Sequence, residues 1–238
     1  MKILMDLAEV AGSSSPFAPR RSAEYVRGHA TGETKMSTVK HDQVMAIPPP
    51  MQKETERHRF KLITDGDIAP QDVSQINESI SSAIGADLKL DTDRLLDIIQ
   101  KDPNTTIKGT FNHKATGFKG SVKEVVDQVA AAMKVAFSGS TPSLVEKLDA
   151  ALVKVFTSLA EQEGAAYLFF SPHGSSTTYR YMLLGLAKSA QSPLRIGALL
   201  AFEITIDKKK EDVLELMLSD KATFDVQVLG PIWATLLV

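Results

Sequence analysis

The chain of 238 residues has no cysteine. That excludes a disulfide framework, a thiol nucleophile, thiolate zinc sites and iron–sulfur ligation. A domain of this size can do without disulfides, so the absence assigns no compartment. No run reaches the roughly 18–20 uninterrupted apolar residues of a transmembrane helix. Charge of one sign is also lacking: the formal net charge is −2 and the pI about 6.2, too little field to hold nucleic acid through its phosphates. The opening MKILMDLAEV has Asp6 and Glu9 where a signal peptide needs an apolar stretch. No secretory signal is therefore expected, and release would be by lysis or a dedicated exporter.

Catalytic constellations are missing too. His29, His41, His58, His113 and His173 have no H-x-x-x-H or H-E-x-x-H spacing, so no metal ligands are expected. Ser171-Pro172-His173-Gly174 lacks the G-x-S-x-G elbow of a nucleophile and reads as a connecting loop. Asp65-Gly66-Asp67 lacks the later acidic positions of a calcium loop and reads as a turn. No glycine-rich phosphate loop follows a strand. The expectation is a protein that is not an enzyme, with no catalytic residue, metal or cofactor.

What is present is a globular composition, 43% hydrophobic and 24% charged, divided unevenly. Residues 1–50 contain Gly12-Ser13-Ser14-Ser15-Pro16, Pro19-Arg20-Arg21 and Pro48-Pro49-Pro50, with no persistent helical or strand period. Six basic against five acidic residues give this segment +1, leaving −3 for the rest. Two readings stay open: a flexible leader, or a pro-segment with Arg20, Arg21, Lys53, Arg57 and Arg59 as exposed sites for a trypsin-like protease. The folded domain is expected over residues 51–238.

From Phe60 the periods become legible. Phe60–Ile63 reads as a short strand. Pro70 opens a helix whose Val73, Ile76, Ile80, Ala83 and Ile84 recur at helical spacing, with Gly85 as its stop. A second short helix begins near Asp91 and ends before Pro103. Residues 105–118 are β-branched and read as a strand. Ser121 and Glu124 form a capping box ahead of a stripe containing Val129, Met133 and Phe137. Ser138-Gly139-Ser140 breaks it, Thr141 caps, and a second stripe with Leu148, Leu152 and Phe156 runs from Pro142 towards Gly164. Strands follow over 165–171 and 178–186. Lys208–Lys210 reads as a turn, Val213–Leu218 as a strand, and Phe224, Val226 and Val228 alternate with Asp225 and Gln227. Helical hairpins first and strands afterwards make an α+β layout.

Leu194–Ile206 is the most informative segment. Leu194, Ile196, Ala198, Leu200, Phe202, Ile204 and Ile206 form a wholly apolar face, roughly 43 Å long at about 3.3 Å per residue. A tilted membrane strand needs only about 9–11 residues. Tyr167, Phe169, Phe170, Tyr179 and Tyr181 cluster on two neighbouring strands, with Leu183 beyond. They suit a sheet core or an aromatic belt at a membrane interface, and both readings stay open.

From about Val135 the chain resembles the Cyt family, the cytolytic delta-endotoxins of bacilli, whose relatives include the fungal volvatoxin. The matching pieces stand in order: Ala136-Phe137-Ser138-Gly139-Ser140, Phe156-Thr157-Ser158-Leu159, Ala166-Tyr167-Leu168-Phe169-Phe170, Tyr179-Arg180-Tyr181, Phe202-Glu203-Ile204, and Ser219-Asp220 with Phe224-Asp225-Val226. The resemblance covers about the last 100 residues; the long leader departs from it. It implies a single α+β domain, a central antiparallel sheet flanked by two helical-hairpin layers. It implies a protoxin, dimeric through its N-terminal arm and activated by proteolysis. It further implies direct binding to membrane phospholipid without enzymatic action, then homo-oligomeric pores or detergent-like disruption. Acting so, the protein would be extracellular after release and then on a target-cell membrane. The candidates for insertion are the strands 179–186, 194–206 and 213–218, and the hairpin of 121–137 with 141–163. A non-lytic lipid- or partner-binding virulence protein on the same scaffold is the alternative.

Overall fold

The computed structural model describes residues 58–137, 142–188 and 192–237. The leader with Arg20, Arg21, Lys53 and Arg57 lies outside these residues, as do the Ser138–Ser140 break and the Thr141 cap. In chain order come β1 (Lys61–Asp65), α1 (Pro70–Ser81), α2 (Thr92–Gln100), β2 (Thr105–Ser121), α3 (Val122–Ala136), α4 (Pro142–Phe156), β3 (Leu168–His173), β4 (Ser176–Lys188), β5 (Leu194–Ile206), α5 (Lys210–Leu214) and β6 (Lys221–Leu236).

Local chemistry sets most boundaries. Pro70 occupies the first turn of α1, where its missing N–H costs nothing. Asp91 caps α2 by accepting the Arg94 amide at 3.0 Å. Ser121 and Glu124 cap α3 reciprocally: the Glu124 amide donates to Ser121 Oγ at 3.3 Å and the Ser121 amide to Glu124 Oε2 at 2.6 Å.

The six strands form one sheet in the order β1-β4-β5-β6-β2, with β3 beside β4 on the same edge as β1. β3 pairs with the first half of β4, and β1 with the second. Every pairing is antiparallel except β1 with β4, so the sheet is mixed. β1 precedes the helices and reaches β4 only by a long crossover, the connection a parallel pair requires.

Alternation along the strands makes two cores. Tyr179, Tyr181 and Leu183 of β4 and Leu200, Phe202 and Ile204 of β5 pack beneath α3 and α4. Met182, Leu184 and Leu186 of β4, Leu199 of β5 and Trp233 of β6 pack beneath α1 and α2. The sheet is thus the middle layer, with a helical pair on each face.

Four elements differ from the periodic reading. α1 ends at Ser81, before Gly85. α4 ends at Phe156 rather than near Gly164, because Ser158 turns into the left-handed region with φ 55°. The Gln162 side chain then reaches back, its Nε2 donating to the Lys154 and Ser158 carbonyls at 2.9 and 3.1 Å, and so closes the helix end. Val213–Leu218 is not a strand: Val213 lies buried in α5, and Leu216, two residues past the helix end, is buried in the same core with its amide turned back to the Val213 carbonyl at 3.4 Å. β6 continues through Gly230 and Pro231 to Leu236. Pro231 is tolerated because the β5–β6 pairing skips from Ala201↔Leu229 to Ala198↔Ile232, so no ladder amide is needed between them.

Candidate functional site

The residues singled out for membrane contact converge on one place. Tyr179, Tyr181, Leu183, Leu200, Phe202, Ile204 and Ile206 are buried on the sheet face under α3 and α4. Opposite them, in the same core, stand Val129 and Met133 of α3, Phe137 at its C-terminal cap, and Leu148, Leu152 and Phe156 of α4. Tyr167 lies at its margin, and Phe170 and Ile196 are half-buried against it. Phe169 points to the other face, where the Arg180 guanidinium sits 5.9 Å from its ring. Leu194 is at the strand end, 39% exposed. Arg59 is half-buried rather than exposed, its Nη1 donating to the Ile84 carbonyl at 2.6 Å.

α4 is seated closely and clasped at both ends. A Cβ on Gly185 would lie 3.3 Å from Leu148 Cδ2, so the helix approaches β4 where no side chain intervenes. At one end Lys147 Nζ donates to the Thr64 carbonyl and Asp65 Oδ1 at 2.9 and 3.0 Å, and Ser143 Oγ to Asp65 Oδ2. At the other, Tyr179 Oη donates to the Val155 carbonyl at 3.1 Å and Tyr181 Oη to Gln162 Oε1 at 2.6 Å. Lys134 of α3 pairs with Asp149 of α4 at 2.9 Å. Apolar burial holds the layer, and a few polar contacts orient it. Exposed ion pairs are each worth no more than about 1 kcal/mol.

The opposite face of the same half of the sheet is polar, which the sequence reading did not identify. Cross-strand register aligns Phe169, Arg180, Glu203, Gln227 and Lys114 in one row. Ser171, Thr178, Thr205 and Asp225 form the next. Arg180 Nε donates to Glu203 Oε2 at 2.5 Å, and the Thr178 and Thr205 hydroxyls meet at 2.8 Å. Just beyond β5, Asp207 Oδ1 accepts the Thr223 amide at 2.7 Å, which holds its carboxyl below the usual aspartate range. The signal was available in Thr178/Arg180 alternating with Tyr179/Tyr181, and in Asp225/Gln227 alternating with Val226/Val228. Single strands do not reveal that these polar positions align.

Ser171 Oγ and His173 Nε2 lie 2.9 Å apart near the exposed end of β3, an i, i+2 pair on one strand face. Among the described residues no group of three or more His, Cys, Asp or Glu could hold a metal ion, and no helix is long and apolar enough to cross a membrane. The latter says nothing of strands.

The family model described as Bacillus thuringiensis toxin matches residues 35–232. The Type-1Aa cytolytic delta-endotoxin of Bacillus thuringiensis subsp. morrisoni is 29% identical over 109 residues, 45% of this chain and 43% of that protein. The match therefore spans less than half of that relative's length. The Type-2Bb cytolytic delta-endotoxin of subsp. jegathesan is 24% identical over 196 residues, 75% of this chain and 74% of that protein. The crystal structure of the activated Cyt2Ba monomer from subsp. israelensis superposes with a TM-score of 0.67 at 21% identity, covering 76% of this chain and 99% of that one. At that identity the likeness shows the fold alone.

Proposed function

Since the chain belongs to the Bacillus thuringiensis toxin family, we propose that it is a cytolysin that binds phospholipid bilayers directly, assembles there and permeabilises them without enzymatic action. Removal of the N-terminal segment by proteolysis would release the activity, with the protein acting outside its cell of origin.

One observation carries the reading. Half of the sheet is apolar on one face, beneath the α3–α4 pair, and polar on the other. Strands of that pattern suit a wall between hydrocarbon and water. Isolated strands cannot enter lipid, because each unpaired backbone group there costs several kcal/mol, so insertion requires a closed assembly of copies. The helical alternative, α3 and α4 lying in the interface, needs no closure.

Dye release from phosphatidylcholine vesicles, before and after trypsin, tests the proposal. Release that rises after trypsin is expected. Silence at micromolar protein in both states would sink the reading, and lipid carried through purification without leakage would favour a non-lytic lipid binder. Leu200→Arg places a charge in the fully buried face and should abolish folding or lysis. A folded, fully lytic variant would show that this face does not enter lipid.

A further inference from the structure

On the other side of the sheet, between α1, α2 and the ends of β2, β5 and β6, lies a cavity of about 160 Å³. Its apolar wall is built from Ile76, Ile98 and the chain's single tryptophan, Trp233. Gly197 lets the indole lie flat against β5, since a Cβ there would stand 2.3 Å from Trp233 Cε2. Into this wall β5 sends Arg195, whose side chain is only 12% exposed. Its Nη1 stands 3.2 Å from Asp72 Oδ2, off the hydrogen-bond direction, and its buried Nε and Nη1 have no hydrogen-bond acceptor. Asp102 lines the cavity too; it accepts the Thr105 hydroxyl at 2.7 Å and feels the Arg195 charge.

A buried guanidinium with idle donors calls for an anionic acceptor, because unmade hydrogen bonds there are costly. A simple anion fits poorly, since two carboxylates already outnumber the one cation. A ligand that brings its own positive charge removes the conflict, and an indole beside a carboxylate is a suitable seat for a quaternary ammonium. We propose that this cavity binds a zwitterionic phosphocholine-type group, with its phosphate on Arg195 and its ammonium between Trp233 and Asp102. The membrane reading above supplies a source, the headgroup of a phospholipid; the site itself does not depend on that reading.

Trp233 is a built-in probe. Phosphocholine, choline and inorganic phosphate are each titrated into the full chain while its emission is followed. Phosphocholine should give a saturable change, and each half alone should bind about tenfold or more weakly, the loss of roughly one charge-assisted contact. Arg195→Gln should lose the response. Asp102→Asn, at an exposed position, should weaken phosphocholine several-fold and, with one of the two repelling carboxylates neutralised, should strengthen inorganic phosphate rather than weaken it. Phosphatidylcholine against phosphatidylglycerol vesicles separates the sources: leakage of the former that Arg195→Gln reduces points to the lipid headgroup, and leakage that Arg195→Gln leaves unchanged confines the ligand to the free molecule. No Trp233 response to phosphocholine, or unchanged binding in Arg195→Gln, overturns the cavity whatever the leakage. Saturable binding with no leakage keeps the cavity and removes the cytolysin reading.

Discussion

At Gly230 the backbone of β6 comes so close to β5 that an added Cβ would lie 1.7 Å from the Leu199 carbonyl oxygen. Neighbouring backbone cannot yield as a flexible side chain can. Gly230→Ala should therefore destabilise the fold by about 2–4 kcal/mol, read as a lower urea midpoint. Gly109 on β2, where a Cβ would meet nothing within 4 Å, is the control, and Gly109→Ala should stay within about 1 kcal/mol of wild type. A second residue-scale prediction concerns pH. Asp207 has its folded pKa lowered, first by the Thr223 amide. Its contribution is present above the unfolded value near 3.8 and is lost as pH falls through the lower folded value. Asp207→Asn should flatten the rise in stability between about pH 2 and pH 5, seen in thermal melts.

Between elements, the decisive contact is α4 on β4. If the helical pair must leave for the apolar face to meet lipid, a covalent tie should stop lysis without harming the fold. Gly185→Cys with Leu148→Cys joins the two where the built Cβ lies 3.3 Å from Leu148 Cδ2, in a chain with no native cysteine to compete. The oxidised double variant should be folded and should release no dye, and reductant should restore release. Lysis by the oxidised form would mean that α4 stays on the sheet. Most elements were legible because their signals are local: the Ser121/Glu124 box, the Asp91 cap, the Pro70 start and the unbroken alternation of β5 all act within a few residues. α5 was misread because a segment this short, with only Val213 buried in it, offers no period. The far half of β6 was missed because Gly230 and Pro231 look like punctuation until the partner strand shows why they are tolerated.

For the whole molecule, the boundary of the folded unit should be set by Arg59. Its guanidinium is held by the Ile84 carbonyl and the next residue, Phe60, is 1% exposed. A protease needs its target extended and free. Limited trypsin should therefore leave a core beginning at or before His58, and not at Phe60, by intact mass. A core starting at Phe60 would show that this segment opens readily.

The amino-acid order by itself determined the two hairpin-forming helical stripes, the strand-rich second half, the greasy face of β5 and the likeness to cytolytic toxins, because each is carried by neighbours along the chain. Only the tertiary structure decided that β1 joins β4 in parallel, that one half of the sheet has a polar reverse, and that Arg195 of β5, Asp102 at the end of α2 and Trp233 of β6 share a cavity. These depend on register and layer stacking between residues as many as 131 positions apart, from 102 to 233. Such contacts are chosen by the burial of whole faces against one another, which no local run of residues encodes.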